Sequence, residues 1–114
     1  MSQKLILKKR QQLTVSQILR VYGKQFRQIQ SRYSDGNNGR CAIGVIMSYF
    51  GWDGRVDFDT AYDLLVASDM LKHAGIDEEL LINMNDSGLT FDEIADYLDT
   101  IDEYLDLSMG IIDR

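Results

Sequence analysis

The stretch from Cys41 to Phe50 reads Cys-Ala-Ile-Gly-Val-Ile-Met-Ser-Tyr-Phe and is apolar on nearly every side. A helix of that composition has no face to turn to water and must be covered by others. A buried strand is the competing reading of so short an apolar run. Around it the chain holds no proline, and its apolar residues recur at helical spacing almost throughout. The expectation is an all-α fold, a single compact bundle of about five helices around a central helix over about 40–51. With 114 residues, a helical domain over 13–114 can bury a core without disulfides or a structural metal, preceded by a basic arm over 1–12.

Local chemistry marks the helix ends. Thr14 and Gln17 form a capping box, with Leu13 and Ile18 placed as a hydrophobic staple. The first helix then carries Val15, Ile18, Leu19, Tyr22, Phe26, Ile29 and Tyr33 on one face, with Gly23 as its weak point. The same device returns as Thr90 and Glu93, with Leu89 against Ile94. Asp57 or Asp59 can cap a helix running to about Ala74 and carrying Phe58, Tyr62, Leu65, Val66 and Leu71. Lys72, His73, Gly75 and Ile76 fit the end of that helix as a Schellman motif. Asp77 caps a short helix through Leu80, Leu81 and Met84, and the longest loop is Ser34 to Arg40. Tyr22, Phe26, Tyr49, Phe50 and Tyr62 are expected in the core, and Trp52 at its rim or on a contact surface.

Charge is unevenly spread. Residues 1–40 hold nine of the twelve basic residues and a single acid, Asp35, while the remainder holds Arg55, Lys72 and Arg114 against seventeen acids. The net charge of −6 argues against nucleic acid as a partner of the whole body. Arg20, Lys24 and Arg27 form a basic stripe at helical spacing. Asp92, Asp96, Asp99, Glu103 and Asp106 form an acidic one, whose like charges repel. The two stripes can neutralise each other within the fold or across a dimer. With Cys41 as the lone cysteine and no long apolar run near the start, the expected setting is a reducing, cytoplasmic one, with no membrane attachment.

No catalytic set is complete. Cys41 opens the central helix beside Arg40, a setting that lowers a thiol pKa, and is a weak candidate nucleophile. The sole histidine, His73, lies at the end of another helix, and the bland reading of Cys41 is a small core residue. Asn83 to Gly88 spaces side-chain oxygens like a calcium loop, but Ile94 stands where the bidentate glutamate belongs, so no metal is expected. Asn85 and Asp86 stay as binding or loop-tying candidates. Leu89 to Leu98 is similar to the first helix of helix-turn-helix readers, yet Asp99 to Asp106, which follows it, holds no glycine turn and no basic or amide residue to meet bases. No cofactor motif is present.

Thr14 to Leu19, Gly39-Arg40-Cys41-Ala42-Ile43-Gly44, and Asn85 to Thr90 with Glu93-Ile94 together resemble a group of short bacterial and archaeal proteins of uncharacterised function. In these an early helix leads to a glycine–cysteine–glycine segment, then an Asn-Asp pair and a Ser/Thr helix start. The resemblance spans about residues 13–105. It implies a shared structural or binding role for Cys41, Gly44, Asn85 and Asp86, and no activity.

The reading that follows is a non-enzymatic protein-interaction or regulatory domain, binding a protein partner or itself. Arg20, Lys24, Arg27, Arg40, Asn85 and Asp86 are its candidate binding residues. The alternatives are a small enzyme with a Cys41 nucleophile, and a DNA-binding regulator using Lys8-Lys9-Arg10.

Overall fold

A computed structural model describes residues 13–57 and 60–112, with side chains as far as residue 101. The basic arm, Phe58, the alternative cap Asp59, and the side chains of Glu103 and Asp106 lie outside the described residues. The elements run α1 (Val15–Val21), a 3₁₀ turn (Tyr22–Gln25), β1 (Arg27–Gln28), β2 (Gly39–Arg40), α2 (Ala42–Tyr49), α3 (Thr60–His73), α4 (Glu78–Asp86) and α5 (Phe91–Ile112). Among the described residues no helix is long and apolar enough to cross a membrane.

The apolar stretch is the hub. Every residue of α2 from Ala42 to Ser48 is buried, and Ile43, Val45, Ile46 and Met47 are wholly so. α1, α3 and α4 pack against α2, and α1 also lies along α5. On α1 the buried side is Val15, Ile18 and Leu19; on α5 it is Phe91, Ile94, Ala95 and Leu98.

Both capping boxes form. The Thr14 amide donates to Gln17 at 2.9 Å and the Gln17 amide to Thr14 Oγ1 at 3.3 Å. The Thr90–Glu93 pair repeats this at 2.9 and 3.1 Å. Asp77 caps α4 by accepting from the Glu79 amide. The Schellman end of α3 is present, with the Ile76 amide on the Leu71 carbonyl and Gly75 on Lys72. α2 and α4 close in the same way, Trp52 bonding to Met47 and Leu89 to Met84. Each of the three ends needs a left-handed residue, supplied by Gly51 (φ 110), Gly75 (φ 73) and Gly88 (φ 105).

Three expectations are corrected. The first helix does not reach Tyr33: it tightens into the 3₁₀ turn after Val21 and then becomes extended at Phe26. Gly23 lies there against Phe91, whose ring would be 2.9 Å from any Cβ at that position. The fold is therefore not purely helical. β1 and β2 form a two-stranded parallel sheet, Arg27 opposite Gly39 and Gln28 opposite Arg40, joined by the loop between them. Phe26 and Tyr33 still pack against the core, reached by irregular backbone in place of a continuous apolar face. Finally, α3 is rotated from its expected orientation. It buries Ala67 and Leu71, with Leu64 and Met70 packed beside them, and leaves Tyr62 and Leu65 at 67% and 60% exposure. Trp52 is buried, its indole N–H donating to the Arg55 carbonyl at 2.9 Å.

Candidate functional site

Asn85 and Asp86 end α4, and the turn at Gly88 directs the chain into α5. Asn85 is 1% exposed. Its Oδ1 accepts from the Ala42 amide at 3.0 Å and from Gln28 Nε2 at 2.9 Å. Its Nδ2 donates to the Ile29 carbonyl at 2.8 Å and to Asp86 Oδ1 at 3.3 Å. Two lone pairs and two N–H groups are the whole capacity of an asparagine side chain, and all four are used. One residue thus ties the start of α2, the β1 segment and the end of α4 together.

Gln28, which sequence reasoning did not single out, completes this junction. Its Nε2 also donates to the Leu89 carbonyl at 2.7 Å, and its Oε1 accepts from the Phe91 amide at 3.1 Å, satisfying a first-turn donor of α5. Its position inside an expected helix gave no signal for that task.

Cys41 is the N-cap of α2, its sulfur accepting from the Gly44 amide at 3.4 Å. Cys41 is 7% exposed. Burial pushes its pKa above the ordinary 9.0, and the nearby Asp86 charge adds to that against the hydrogen bonds from Gly44 and Ile43. This reverses the direction expected for a thiol at a helix start beside a cation. The Arg40 guanidinium is not turned toward the thiol. It lies in a buried pocket, with Nε donating to Ser48 Oγ at 2.9 Å and Nη1 to the Gly39 and Asn37 carbonyls at 2.8 and 2.9 Å. Phe26 and Trp52 flank it at 4.6 and 5.5 Å. His73 bonds to the Asp69 carbonyl of its own helix and borders a different groove, with Leu13 and Met70.

Gly44 has a steric role at this site. A Cβ there would stand 2.0 Å from the Tyr33 carbonyl oxygen, so only glycine lets α2 approach the backbone of the 31–33 segment. Beside this contact lies an open cavity of about 240 Å³. Its lining includes the apolar Ala42, Ile43 and Ile82 with Tyr33, and also Cys41, Asn85, Ser31, Arg32 and Asp86. Ser31 is held at φ 70, a left-handed conformation unusual outside glycine, and its amide donates to Asp86 Oδ1 at 3.0 Å. The structure therefore brings Cys41, Asn85 and Asp86 together.

The charged stripes meet within the chain. Arg20 Nη2 lies 2.6 Å from Asp96 and 2.9 Å from Asp99 on α5. Arg27 is on β1 and pairs with Asp35, so it belongs to no helical stripe, and Lys24 is exposed. These pairs are solvent-facing and contribute little to stability. The Asp35 carboxyl is held below the ordinary 3.8 by the amides of Asn37 and Gly39 and then by Arg27. Asp99 is held low by the Ser16 hydroxyl and then Arg20, and Asp53 by the backbone and side chain of Arg55. As pH falls through 3.8 the unfolded chain takes up these protons before the folded one, so stability drains away from there downward. Urea midpoints should therefore hold between pH 7 and 5 and fall by pH 3. A midpoint unchanged at pH 3 contradicts these assignments.

Comparison with protein-family models, curated proteins and solved structures finds no match to this chain.

Proposed function

We propose that this chain is a non-enzymatic interaction or regulatory domain, one that binds at its surface and leaves what it binds chemically unchanged. One observation carries the reading: residues from three separated stretches of sequence meet at a single open cavity whose thiol is desolvated. A nucleophilic cysteine works as the thiolate and needs a base or a cation to make it so. Cys41 has neither arrangement, because Arg40 is committed to Ser48 and backbone carbonyls and His73 borders another groove. The oppositely charged faces support the reading in a modified form. Arg20 already spans Asp96 and Asp99, so a self-association built on swapping those charges loses its main cation. Asp92 and Glu93 remain exposed on α5, and with a net charge of −6 they steer cationic partners toward the molecule.

Thiol alkylation tests this. Cys41 in the folded protein should react with iodoacetamide far more slowly than in the urea-unfolded protein, at pH 7 and still at pH 8.5. A folded-state rate at pH 7 equal to or above the unfolded one would bring back the nucleophile and end the binding-domain reading.

A further inference from the structure

The cavity bordered by Cys41 and Asn85 has a composition that selects among ligands. Its volume of about 240 Å³ falls below the roughly 300–1,000 Å³ typical of pockets for drug-sized molecules. The occupant is accordingly small, the size of one amino acid. Ala42, Ile43 and Ile82, with Tyr33, in its lining ask for an apolar group.

The lining also includes opposite charges, Arg32 and Asp86, and the amide of Ser31, next to Arg32 in the chain, donates to the Asp86 carboxylate. Arg32 is exposed and has no acidic partner among the described residues. Asp86 Oδ1 accepts from Ser31 and Asn85, and a carboxylate has about four acceptor positions. It therefore keeps capacity for a cationic group.

The start of α2 does not compete for the ligand's anion. The Ala42 amide is taken by Asn85 and the Gly44 amide by the Cys41 sulfur, so the cation available to an anionic group is Arg32.

We infer that the cavity binds a free zwitterionic amino acid with a short aliphatic side chain, its carboxylate on Arg32, its ammonium on Asp86 and its side chain against Ile43 and Ile82. This rests on the binding-domain reading above and names the ligand class for that cavity.

Calorimetric titration of the full chain with L-leucine is the test. Saturable binding is expected, with glycine failing for want of an apolar group. Leucinamide, which lacks the carboxylate, and 4-methylpentanoate, which lacks the ammonium, should each bind about tenfold or more weakly, the usual cost of one charged contact. Arg32→Gln should weaken leucine by a similar factor without changing the weak binding of leucinamide, since that ligand offers Arg32 no carboxylate. Asp86→Asn should do the converse with 4-methylpentanoate. Should Asp86→Asn not fold, the two analogues on the native chain still decide the matter.

Absence of saturable leucine binding by the folded protein overturns the inference. So does leucinamide binding as tightly as leucine, which marks a peptide amino terminus as the occupant. Equal binding of 4-methylpentanoate overturns it too. None of these outcomes touches the broader reading, which stands or falls on the Cys41 alkylation rate.

Discussion

Asn85→Ala should destabilise the protein by about 3–5 kcal/mol, one of the two largest effects expected from a single side-chain truncation here. The substitution strips partners from the Ala42 amide, the Gln28 side-chain amide and the Ile29 carbonyl together. A buried polar group left without a partner costs about 1–3 kcal/mol, and water entering from the adjoining cavity recovers only part of three such losses. The urea midpoint should fall by roughly 2 M on a slope near 2 kcal/mol per molar. Asn85→Asp separates hydrogen bonding from shape. It keeps an acceptor for Ala42, loses the donor to Ile29, and sets a second carboxylate beside Asp86. At pH 7 it should be as damaging as alanine. Its deficit relative to the native chain should narrow as acid neutralises the new carboxylate and restores a donor. An alanine variant within about 1 kcal/mol of the native protein would mean that Asn85 does not hold the junction.

The second large effect belongs to Arg40, 4% exposed and without an ion-pair partner among the described residues. Burial pushes its pKa down, against the more distant pull of Asp35 and Asp53. What keeps the charge in place is a fan of neutral acceptors, the hydroxyls of Ser48 and Ser34 and the carbonyls of Gly39 and Asn37, with the Phe26 and Trp52 rings on its flanks. Arg40→Ala empties this space and orphans those acceptors, at an expected cost of about 3–5 kcal/mol. Arg40→Lys keeps the charge but lacks a planar fork able to reach Ser48 on one edge and the Gly39 carbonyl on another, and should lose about 2–3 kcal/mol. Denaturant midpoints of the two variants read this directly. A lysine variant as stable as the native chain would show that charge alone is what the pocket requires. Arg40 is thus a residue of the interior, whatever its place next to Cys41 suggested about binding.

Legibility of this fold from its sequence follows the range of the interaction. Thr14 with Gln17, Thr90 with Glu93, and Gly75 with Ile76 and Leu71 are satisfied within a few residues, so reading the chain finds them. The burial of Ala42 to Ser48 was legible for a different reason, since a segment with no polar face has only one place to go. The turn after Val21 was not. Phe26, Ile29 and Tyr33 continue a helical spacing, but Gly23 beneath Phe91 and Gln28 bonded to Leu89 and Phe91 hold that backbone in another shape. Those partners lie far along the chain, and local periodicity carries no information about them. Choosing the buried side of α3 was equally non-local, because the exposed Leu65 is the same residue type as the buried Leu71.

The candidate site divides in the same way. Residue chemistry drew attention to Cys41 with Gly44 and to Asn85 with Asp86, and the family resemblance implied a shared structural or binding role for the four. Sequence by itself thereby determined the helical character, the helix ends, the central helix and the set of residues worth watching. Tertiary structure alone decided that Asn85 is spent on α2 and β1, that Arg40 turns inward, that the Cys41 thiol is desolvated, and that Arg32 and Asp86 share one cavity. The physical reason is that burial and solvation belong to the assembled interior. Whether a thiol ionises, or an amide finds its fourth partner, depends on atoms that the chain brings near only by folding.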